Sequence, residues 1–301
     1  MYHIISTFLI SIFVLLTGVN SFAGGTFSLN DPSRQVIGIE QYYQINNDND
    51  TLHDVAVSYG IGYNAIVSAN NGIDPWVPGA GTIVTIPTKW ILPEVLDDGI
   101  VINLAEMRLY YFFNFKTSKF VKTYPVGVGD EGYSTPLGSH RIVSKVVNPT
   151  WKPPKHIRDE FPELPSIVQP GPENPLGKHW LQLSVSGYGI HGTNIPYSVG
   201  HRVSSGCIRM YNEQVAILFG YVKPNTKVKI IYEPVKVAKQ DNKIYIEVHN
   251  NYNEDNITKP DELLALAQKK LSGKDLFKFV DTGLLNDAIK KATGLPTVIS
   301  R

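Results

Sequence analysis

Short runs of apolar and β-branched residues recur along the middle of the chain, and turn residues or prolines separate them. Five of these runs have the composition of β-strands, at residues 100–104, 108–113, 120–126, 140–147 and 226–232. The pattern therefore predicts a mainly β fold, in which residues 97–232 form a β-rich domain with long loops.

A helical pattern precedes this domain. Its apolar side chains recur at i, i+3, i+4 and i+7, at Leu52, Val55, Ala56 and Tyr59. Thr51 or Asp50 can cap the start of this helix, and Gly60 fits the position after its end. A second helix is predicted over 65–69, with Asn64 as its N-cap, and strand-like segments flank the pair. Residues 40–87 thus predict a small βααβ module, which a linker at 88–98 joins to the next domain.

The C-terminal extension, residues 233–301, mixes strand and helix signals. Residues 243–249 alternate between polar and apolar in the manner of an edge strand. Helices are predicted over 260–271, with Pro260 near the start, and over about 284–292. We expect a docking subdomain, with a partly mobile extension as the alternative.

The first 23 residues have the pattern of a signal peptide. They contain no Lys, Arg, Asp or Glu, and residues 4–16 are an apolar run. Ser21 and Ala23 are small residues suited to cleavage before Gly24. The run is shorter than the roughly 18 apolar residues of a spanning helix. We expect an exported periplasmic protein without a membrane span after cleavage, the alternative being an uncleaved anchor.

Net charge and cysteine content limit the classes of function that the chain can have. Lys and Arg number 28 against 27 Asp and Glu, so a net charge of +1 offers no electrostatic basis for binding nucleic acid or an anionic membrane. The single cysteine, Cys207, cannot form an internal disulfide. Its thiol therefore either packs in the core or carries chemistry.

A glycine pattern at residues 127–132 (GVGDEG) matches the dinucleotide-binding fingerprint. That fingerprint must open a helix, and the following residues 133–138 (YSTPLG) cannot form one. We therefore expect these glycines to make a hairpin loop, and we expect no nucleotide cofactor.

The lone thiol has a histidine, His191, sixteen positions before it. A thiol becomes a useful nucleophile as thiolate, which a nearby imidazole, guanidinium or helix N-terminus favours. Gly206 lets a substrate carbonyl approach the backbone, where amides around Gly206 and Cys207 can face an oxyanion. Residues 208–219 can turn helical, which would place Cys207 near a helix N-terminus.

Two other interpretations of Cys207 remain open from spacing alone. One is a buried structural cysteine, since free cysteines commonly behave as small apolar residues. The other is a zinc site formed with His191 and His201, which lacks a fourth ligand at a usual spacing. We expect no metal.

Residues 42–87 resemble a LysM module, and the matching positions are Tyr42, 50–52 (DTL), 59–60 (YG), 69–70 (AN) and 81–87 (GTIVTIP). In that family a groove beside the first helix binds glycans that contain N-acetylglucosamine, such as peptidoglycan. The resemblance implies glycan binding, and the alternative is a packing domain that no longer binds sugar.

Residues 191–196 (HGTNIP) and 200–210 (GHRVSSGCIRM) closely resemble the signature of YkuD-type L,D-transpeptidases. Residues 125–127 (PVG), 135–138 (TPLG) and 148–151 (NPTW) resemble the same family, and the resemblance covers roughly residues 99–232. The order of segments is similar to that of the periplasmic ErfK/YbiS/YcfS/YnhG enzymes. Many members have His where this chain has Ser205, which leaves the role of Ser205 open.

The resemblance implies a mechanism and its partners. Cys207 would attack the diaminopimelate carbonyl of a peptidoglycan tetrapeptide stem, D-Ala would leave, and His191 would transfer the protons. Backbone amides at Gly206 would stabilise the oxyanion, and Arg209 the site or a stem carboxylate, unless it is a surface arginine. The acceptor would be a second stem, the C-terminal Lys of an outer-membrane lipoprotein, or water.

Two alternative functions compete with this interpretation. The chain can be a non-catalytic peptidoglycan-binding protein that acts through the LysM-like module, which thiol reactivity would reveal. It can also be a sortase-type cysteine acyltransferase, although the residues around His191 and Cys207 do not suit that class. Substrate choice would separate a sortase-type enzyme from an L,D-transpeptidase.

Overall fold

The computed structural model describes residues 25–31, 33–95, 98–250 and 259–301. The expected signal peptide, residues 1–23, lies outside the described residues. None of the helices in these ranges is both long enough and apolar enough to cross a bilayer. The fold is mainly β, as the sequence pattern predicts.

The described ranges contain eighteen strands and six α-helices. The strands are β1 (Thr26–Ser28), β2 (Val36–Gly38), β3 (Gln41–Gln44), β4 (Ile83–Ile86), β5 (Lys89–Ile91), β6 (Gly99–Asn103), β7 (Arg108–Phe115), β8 (Ser118–Pro125), β9 (Val128–Gly129), β10 (Gly138–Val147), β11 (His179–Leu183), β12 (Gly189–His191), β13 (Arg202–Ser204), β14 (Ile208–Arg209), β15 (Lys227–Ile231), β16 (Val235–Gln240), β17 (Lys243–Val248) and β18 (Thr297–Val298). The helices are α1 (Leu52–Tyr59), α2 (Tyr63–Ala69), α3 (Lys155–Glu160), α4 (Asn212–Tyr221), α5 (Pro260–Gly273) and α6 (Thr282–Lys291).

A curled nine-stranded sheet forms the centre of the molecule, in the order β1-β8-β7-β6-β15-β10-β11-β12-β14. All five strands predicted for this region are present, within a few residues of the predicted ends. α4 packs on the sheet because its apolar side chains Val215 and Leu218 join Ile190 and Ile208 in one buried core. That burial removes apolar surface from water and holds β12 and β14 in place.

The segment after Cys207 differs from the prediction. Residues 208–209 form β14, parallel to β12, and the helix begins only at Asn212. Ile208 is fully buried beside Ile190, so packing overrides the local helical pattern. The prediction that Cys207 lies at a helix N-terminus is therefore wrong, because the effect of a helix dipole fades within one turn.

The glycine-rich segment 127–132 does not form the predicted hairpin loop. It contains β9, which pairs in parallel with β13, and no helix follows before β10. Gly129 is required by close approach, since a Cβ there would lie 2.9 Å from the Gly206 Cα and 2.2 Å from the Tyr133 carbonyl oxygen. This segment supports the loop that carries Cys207.

The N-terminal module has the predicted strand–helix–helix–strand order, β3-α1-α2-β4. Thr51 and Asp54 form a capping box at the start of α1, and Gly60 ends the helix in the left-handed region with φ 62°. α2 begins at Tyr63 rather than after an Asn64 cap. The amides of Tyr63 and Asn64 donate to the carbonyls of Val199 and Gly200, so the β-rich domain caps this helix.

The predicted linker 88–98 contains a buried strand. β5 pairs with β2, and Trp90 and Ile91 are buried against the central sheet and the C-terminal strands. The interpretation as a linker is wrong for residues 89–91. They form a strand, and the apolar side chains of Trp90 and Ile91 pack between the central sheet and the C-terminal strands.

The C-terminal extension forms a three-stranded sheet, β16-β17-β18, covered by α5 and α6. The two predicted helices are present. The edge-strand prediction for residues 243–249 is wrong, since β18 adds to the far side of β17 and leaves it in the centre. Ile246 of β17 is accordingly fully buried.

Candidate active site

Strand register places three predicted site residues on one face of the sheet. In the parallel pair of β12 and β14, Ile190 lies opposite Ile208 and His191 opposite Arg209. Neighbouring side chains in a strand point to opposite faces. Because the two isoleucines point into the core, His191 and Arg209 point away from it, and Cys207 lies on their side.

These side chains line a cavity of about 520 Å³. Its other walls come from loops after β10 and before β11 and β12, and its lining includes the side chains of Trp151, Lys152, Ile157, Pro175, Leu176, Trp180 and Ser205. The lining is mostly apolar with a few convergent polar groups, as is typical of a binding site.

His191 is held as a neutral imidazole with its Nε2 free to accept a proton. Its Nδ1 lies 2.6 Å from the Gly192 carbonyl oxygen, which can only accept, so the ring proton is on Nδ1. The ring stacks on Trp180 at 5.6 Å between centroids. Burial, helped by the Arg209 charge, lowers the pKa of His191 to about 3.

Cys207 is half-buried at the cavity, and its thiol lies 3.5 Å from the Gly187 carbonyl oxygen. Burial raises the pKa of Cys207, although the Gly189 amide and the Arg209 guanidinium oppose that rise. With the pKa of His191 lowered, the pair rests as neutral thiol and neutral imidazole at neutral pH.

Gly206 allows the tight turn before Cys207. Its φ is +96°, and a Cβ would lie 2.4 Å from the Tyr188 ring. Its carbonyl accepts a hydrogen bond from the Thr135 hydroxyl at 2.9 Å, and its amide donates to the Ser204 hydroxyl at 3.1 Å. The Gly206 amide is thus engaged within the loop, whereas the sequence predicted that it could face an oxyanion.

Arg209 is partly buried in the cavity wall. Its backbone forms a bridge with Gly127, with two hydrogen bonds of 2.9 Å. Among the described residues, its Nε is buried without a hydrogen-bond partner. Burial lowers the pKa of Arg209, and Cys207 opposes that shift. A buried guanidinium with spare donors suits a carboxylate ligand.

Ser205 faces a residue that the sequence analysis missed. Its Oγ lies 2.9 Å from Nε2 of His156, whose ring stacks on Tyr133 with 4.2 Å between centroids. No local signal marks His156, since it precedes Ser205 by 49 positions. Thr135, which holds Gly206, was also missed as a site residue, although it lies in the TPLG segment.

His201 is not part of this cavity. Its Nε2 lies 3.4 Å from Nε2 of His53, and its ring stacks on Tyr63, at the junction with the module. The structure therefore does not bring together the hypothetical zinc ligands His191, His201 and Cys207.

Within the described residues, one cluster has spacing suitable for a metal: Glu106, Glu247 and His249. The Nζ of Lys236 lies 2.9 Å from the Glu106 carboxylate and 2.7 Å from the Glu247 carboxylate. An ammonium thus occupies the position between the two carboxylates, and the cluster is better suited to an ion pair than to a cation.

A half-buried thiol that shares a cavity with a neutral imidazole is the arrangement of enzymes that transfer acyl groups through a cysteine. Residues 97–230 match the family model of the YkuD L,D-transpeptidase catalytic domain.

Three relatives extend the similarity. The L,D-transpeptidase YcfS of Escherichia coli K12 is 37% identical over 286 residues, 92% of this chain and 88% of that protein. The L,D-transpeptidase YbiS of the same strain is 36% identical over 284 residues, 90% of each chain. The L,D-transpeptidase YkuD of Bacillus subtilis is 31% identical over 190 residues, 62% of this chain and 97% of that protein. The chain belongs to the L,D-transpeptidase family and is an acyltransferase.

Proposed function

We propose that this L,D-transpeptidase acts on peptidoglycan, with Cys207 as nucleophile and His191 as proton acceptor and donor. The observation that carries the proposal is the tautomer of His191. With Nδ1 committed to the Gly192 carbonyl, Nε2 is the atom that can take the thiol proton. The cavity above the pair is large enough for a peptide stem.

In the first step, Cys207 Sγ bonds to the diaminopimelate carbonyl carbon of a tetrapeptide stem while its proton passes to Nε2 of His191. The tetrahedral intermediate collapses, the C–N bond to D-Ala breaks, and His191 returns the proton to the leaving amine. A thioester remains on Cys207. In the second step an acceptor amine loses a proton to His191 and displaces the thiolate, which is reprotonated.

Two other groups support these steps. Arg209, whose buried Nε is a spare donor, binds a carboxylate of the stem and favours negative charge on the sulfur. Gly206 provides the turn that exposes Cys207. Backbone amides beside Sγ then stabilise the oxyanion. The Gly206 amide can contribute only if it leaves the Ser204 hydroxyl, which makes the Cys207 amide the better donor.

The acceptor defines the biological outcome. A second stem gives a 3→3 cross-link, the C-terminal Lys of an outer-membrane lipoprotein gives an anchored protein, and water gives a carboxypeptidase.

The test is intact-protein mass spectrometry of the chain without residues 1–23, mixed with a disaccharide tetrapeptide, beside Cys207→Ala. We expect an acyl adduct that depends on Cys207, with release of D-Ala. Dimeric product identifies a stem acceptor, and an adduct that waits or hydrolyses points to a protein acceptor. If no adduct forms and the protein still binds peptidoglycan, the proposed enzymatic function is wrong and the protein is a non-catalytic peptidoglycan-binding protein.

We also propose that residues 40–87 form a LysM module that binds peptidoglycan glycan. The βααβ order and the LysM-like residues support this, and Trp76 offers an exposed ring, 59% accessible, in the loop between α2 and β4. In the Cys207→Ala background, Trp76→Ala should weaken sedimentation with purified peptidoglycan. Phe115→Ala is the matched control, because Phe115 is a similarly exposed ring, 61% accessible, on the β-rich domain.

Export to the periplasm completes the proposal, with residues 1–23 as a cleaved signal peptide. Cell fractionation and N-terminal sequencing test it, and the expected mature chain begins at Gly24. A chain that keeps residue 1 in the membrane fraction would support the uncleaved anchor instead.

A further inference from the structure

One wall of the active-site cavity comes from residues 149–160, which follow β10. Trp151, Lys152, Pro154 and Ile157 of this wall line the cavity that contains Cys207. The wall includes α3, and none of the residues of α3 is fully buried. Because so exposed a helix gains little from apolar burial, individual contacts must set its position over the nucleophile.

Several contacts hold the wall to the rest of the long segment between β10 and β11. Trp151 and Val168 exchange two backbone hydrogen bonds of 2.9 and 2.8 Å. The Asn174 side chain donates to the Pro149 carbonyl at 2.8 Å. These contacts are internal to the segment between β10 and β11, and they do not connect the wall to the loop that carries Cys207.

His156 makes that connection. Its Nε2 lies 2.9 Å from the Ser205 hydroxyl, and its ring stacks on Tyr133 with planes 21° apart. Ser205 is two positions before Cys207. The Tyr133 carbonyl lies 3.2 Å from the position that a Cβ on Gly206 would take. One imidazole therefore touches both segments that enclose the turn at Gly206.

The loop itself is fixed from its other side. Thr135 donates to the Gly206 carbonyl, and the Asp130 amide donates to the Ser204 carbonyl at 2.9 Å. Ser205 is the residue of this loop that reaches toward the wall. Its hydroxyl thus joins a well-supported loop to a weakly supported wall, with His156 as the link.

We propose that His156 is a positioning residue for acyl transfer, which holds the 149–160 wall against the Ser205 loop so that the donor peptide is confined over Cys207. The proposal rests on the proposed function for the acylation step. His156 acts through Ser205 and the wall, and it does not exchange protons with the substrate.

The proposal predicts different effects on donor binding and on the intrinsic reactivity of Cys207. Loss of the imidazole frees the wall and weakens binding of the donor, so KM for the donor should rise about tenfold while the chemical step changes less. Reaction of Cys207 with iodoacetamide, a small reagent that needs no wall, should be unchanged or faster. Gln at position 156 should restore much of the donor affinity, because its amide nitrogen can reach Ser205.

The experiment compares wild type, His156→Ala, His156→Gln and the matched control Arg158→Ala, an exposed residue of the same helix. Three readings are taken: acylation rate against donor concentration, alkylation rate with iodoacetamide, and hydrogen–deuterium exchange of residues 149–160. For His156→Ala we expect a higher KM, undiminished alkylation and faster exchange in the wall. Arg158→Ala should match wild type.

A double-mutant cycle with Ser205→Ala tests the link itself. If the hydrogen bond carries the effect, His156→Ala should change exchange less in the Ser205→Ala background than in wild type. Unchanged KM and exchange in His156→Ala would overturn the proposal, as would equal losses in acylation and alkylation or an equal effect of Arg158→Ala. A wild type that forms no acyl-enzyme would refute the proposed function, while exchange would still decide the role of His156.

Discussion

Burial moves the pKa values of Cys207 and His191 in opposite directions, and both shifts favour the uncharged side chain. The resting site then contains a thiol and a neutral imidazole rather than a thiolate and an imidazolium. The thiol must lose its proton as it attacks, and we expect Nε2 of His191 to take it, because that ring nitrogen carries no proton in this tautomer. Such a resting state protects the thiol from adventitious oxidation, because the thiolate is the reactive form.

Alkylation of Cys207 should therefore show one ionisation at high pH. We expect the iodoacetamide rate to rise with pH through and beyond 9.0, the ordinary pKa of this thiol. No step should occur near pH 6.5, because the pKa of His191 is about 3. A rate that reaches its plateau by pH 7 would indicate an ion pair. Cys207→Ser provides the background.

The lowered pKa of His191 also predicts a pH dependence of stability. In the unfolded chain His191 binds a proton below its ordinary pKa of 6.5, whereas in the folded chain it stays neutral down to about pH 3. The free energy of unfolding should therefore fall as pH drops below 6.5, by up to about 1.4 kcal/mol per unit from this group.

His191→Gln tests this linkage, because the amide does not titrate. Urea unfolding of both proteins between pH 5 and 7 gives two slopes, and the wild-type slope should be the steeper. The pKa of His201, lowered to about 4, contributes equally to both proteins. Equal slopes would mean that folding does not lower the pKa of His191.

At this scale the sequence predicts the residues whose chemistry is local. Cys207 and His191 stand in recognisable motifs, and the structure brings them to one cavity. His156 could not be predicted, because its partner Ser205 is distant in sequence and a lone histidine has no distinctive pattern. The protonation state also depends on burial, which spacing does not reveal.

Individual elements form where local signals and packing agree. α1 has an apolar face, a capping box from Thr51 and Asp54, and Gly60 in the left-handed region, so its bounds were predictable. β14 and the start of α2 were not, because their partners are supplied by other segments. Ile208 extends to pair with β12, and the carbonyls of Val199 and Gly200 cap α2.

The capping box makes a measurable contribution to the module. Thr51→Ala removes a side-chain acceptor from the Asp54 amide, at 3.0 Å, and should lower the free energy of unfolding by about 1 kcal/mol. Ser58→Ala is the control, since Ser58 is an exposed residue of the same helix whose hydroxyl bonds only to the Val55 carbonyl one turn earlier, and it should change stability by less than about 0.5 kcal/mol. Urea denaturation followed by circular dichroism measures both. Equal effects would show that the cap contributes nothing specific.

The whole molecule is held together by contacts between units that lie far apart in sequence. The module reaches the β-rich domain through Gln214, which donates to the Gly60 carbonyl at 2.9 Å, and Tyr211, which donates to the Ile61 carbonyl. The C-terminal unit joins through Lys236, which is fully buried among Glu106, Glu247 and the Ile91 carbonyl. Lys236 and Glu106 are 130 positions apart, so no sequence pattern could pair them.

Charge accounts for the pH range of this junction. Burial alone would lower the pKa of Lys236, but the facing carboxylates of Glu106 and Glu247 outweigh burial and raise it. Burial would raise the pKa of Glu247, yet Lys236, together with the hydrogen bond from His249, outweighs burial and lowers that pKa. The junction therefore stabilises the fold between about pH 4.5 and 10.5, the two ordinary values, and weakens outside that range.

Lys236→Met should be severely destabilising at neutral pH. Removing one member of a buried ion pair leaves uncompensated carboxylates in the interior, which costs about 3–5 kcal/mol. Lys155→Met is the matched control, because Lys155 pairs with Asp159 on the surface and should cost less than about 1 kcal/mol. Urea denaturation at pH 7 compares the two.

The sign of the pH effect distinguishes lost charge from lost packing. In Lys236→Met the pKa of Glu247 should rise, because its ammonium partner is gone and burial then dominates. Protonation at lower pH relieves the buried charge, so the stability gap to wild type should narrow as pH falls from 7 to 4. Met replaces the apolar stem of the lysine but not its charge. A gap that stays constant with pH would therefore contradict a role of the Lys236 charge in stabilising the buried carboxylates.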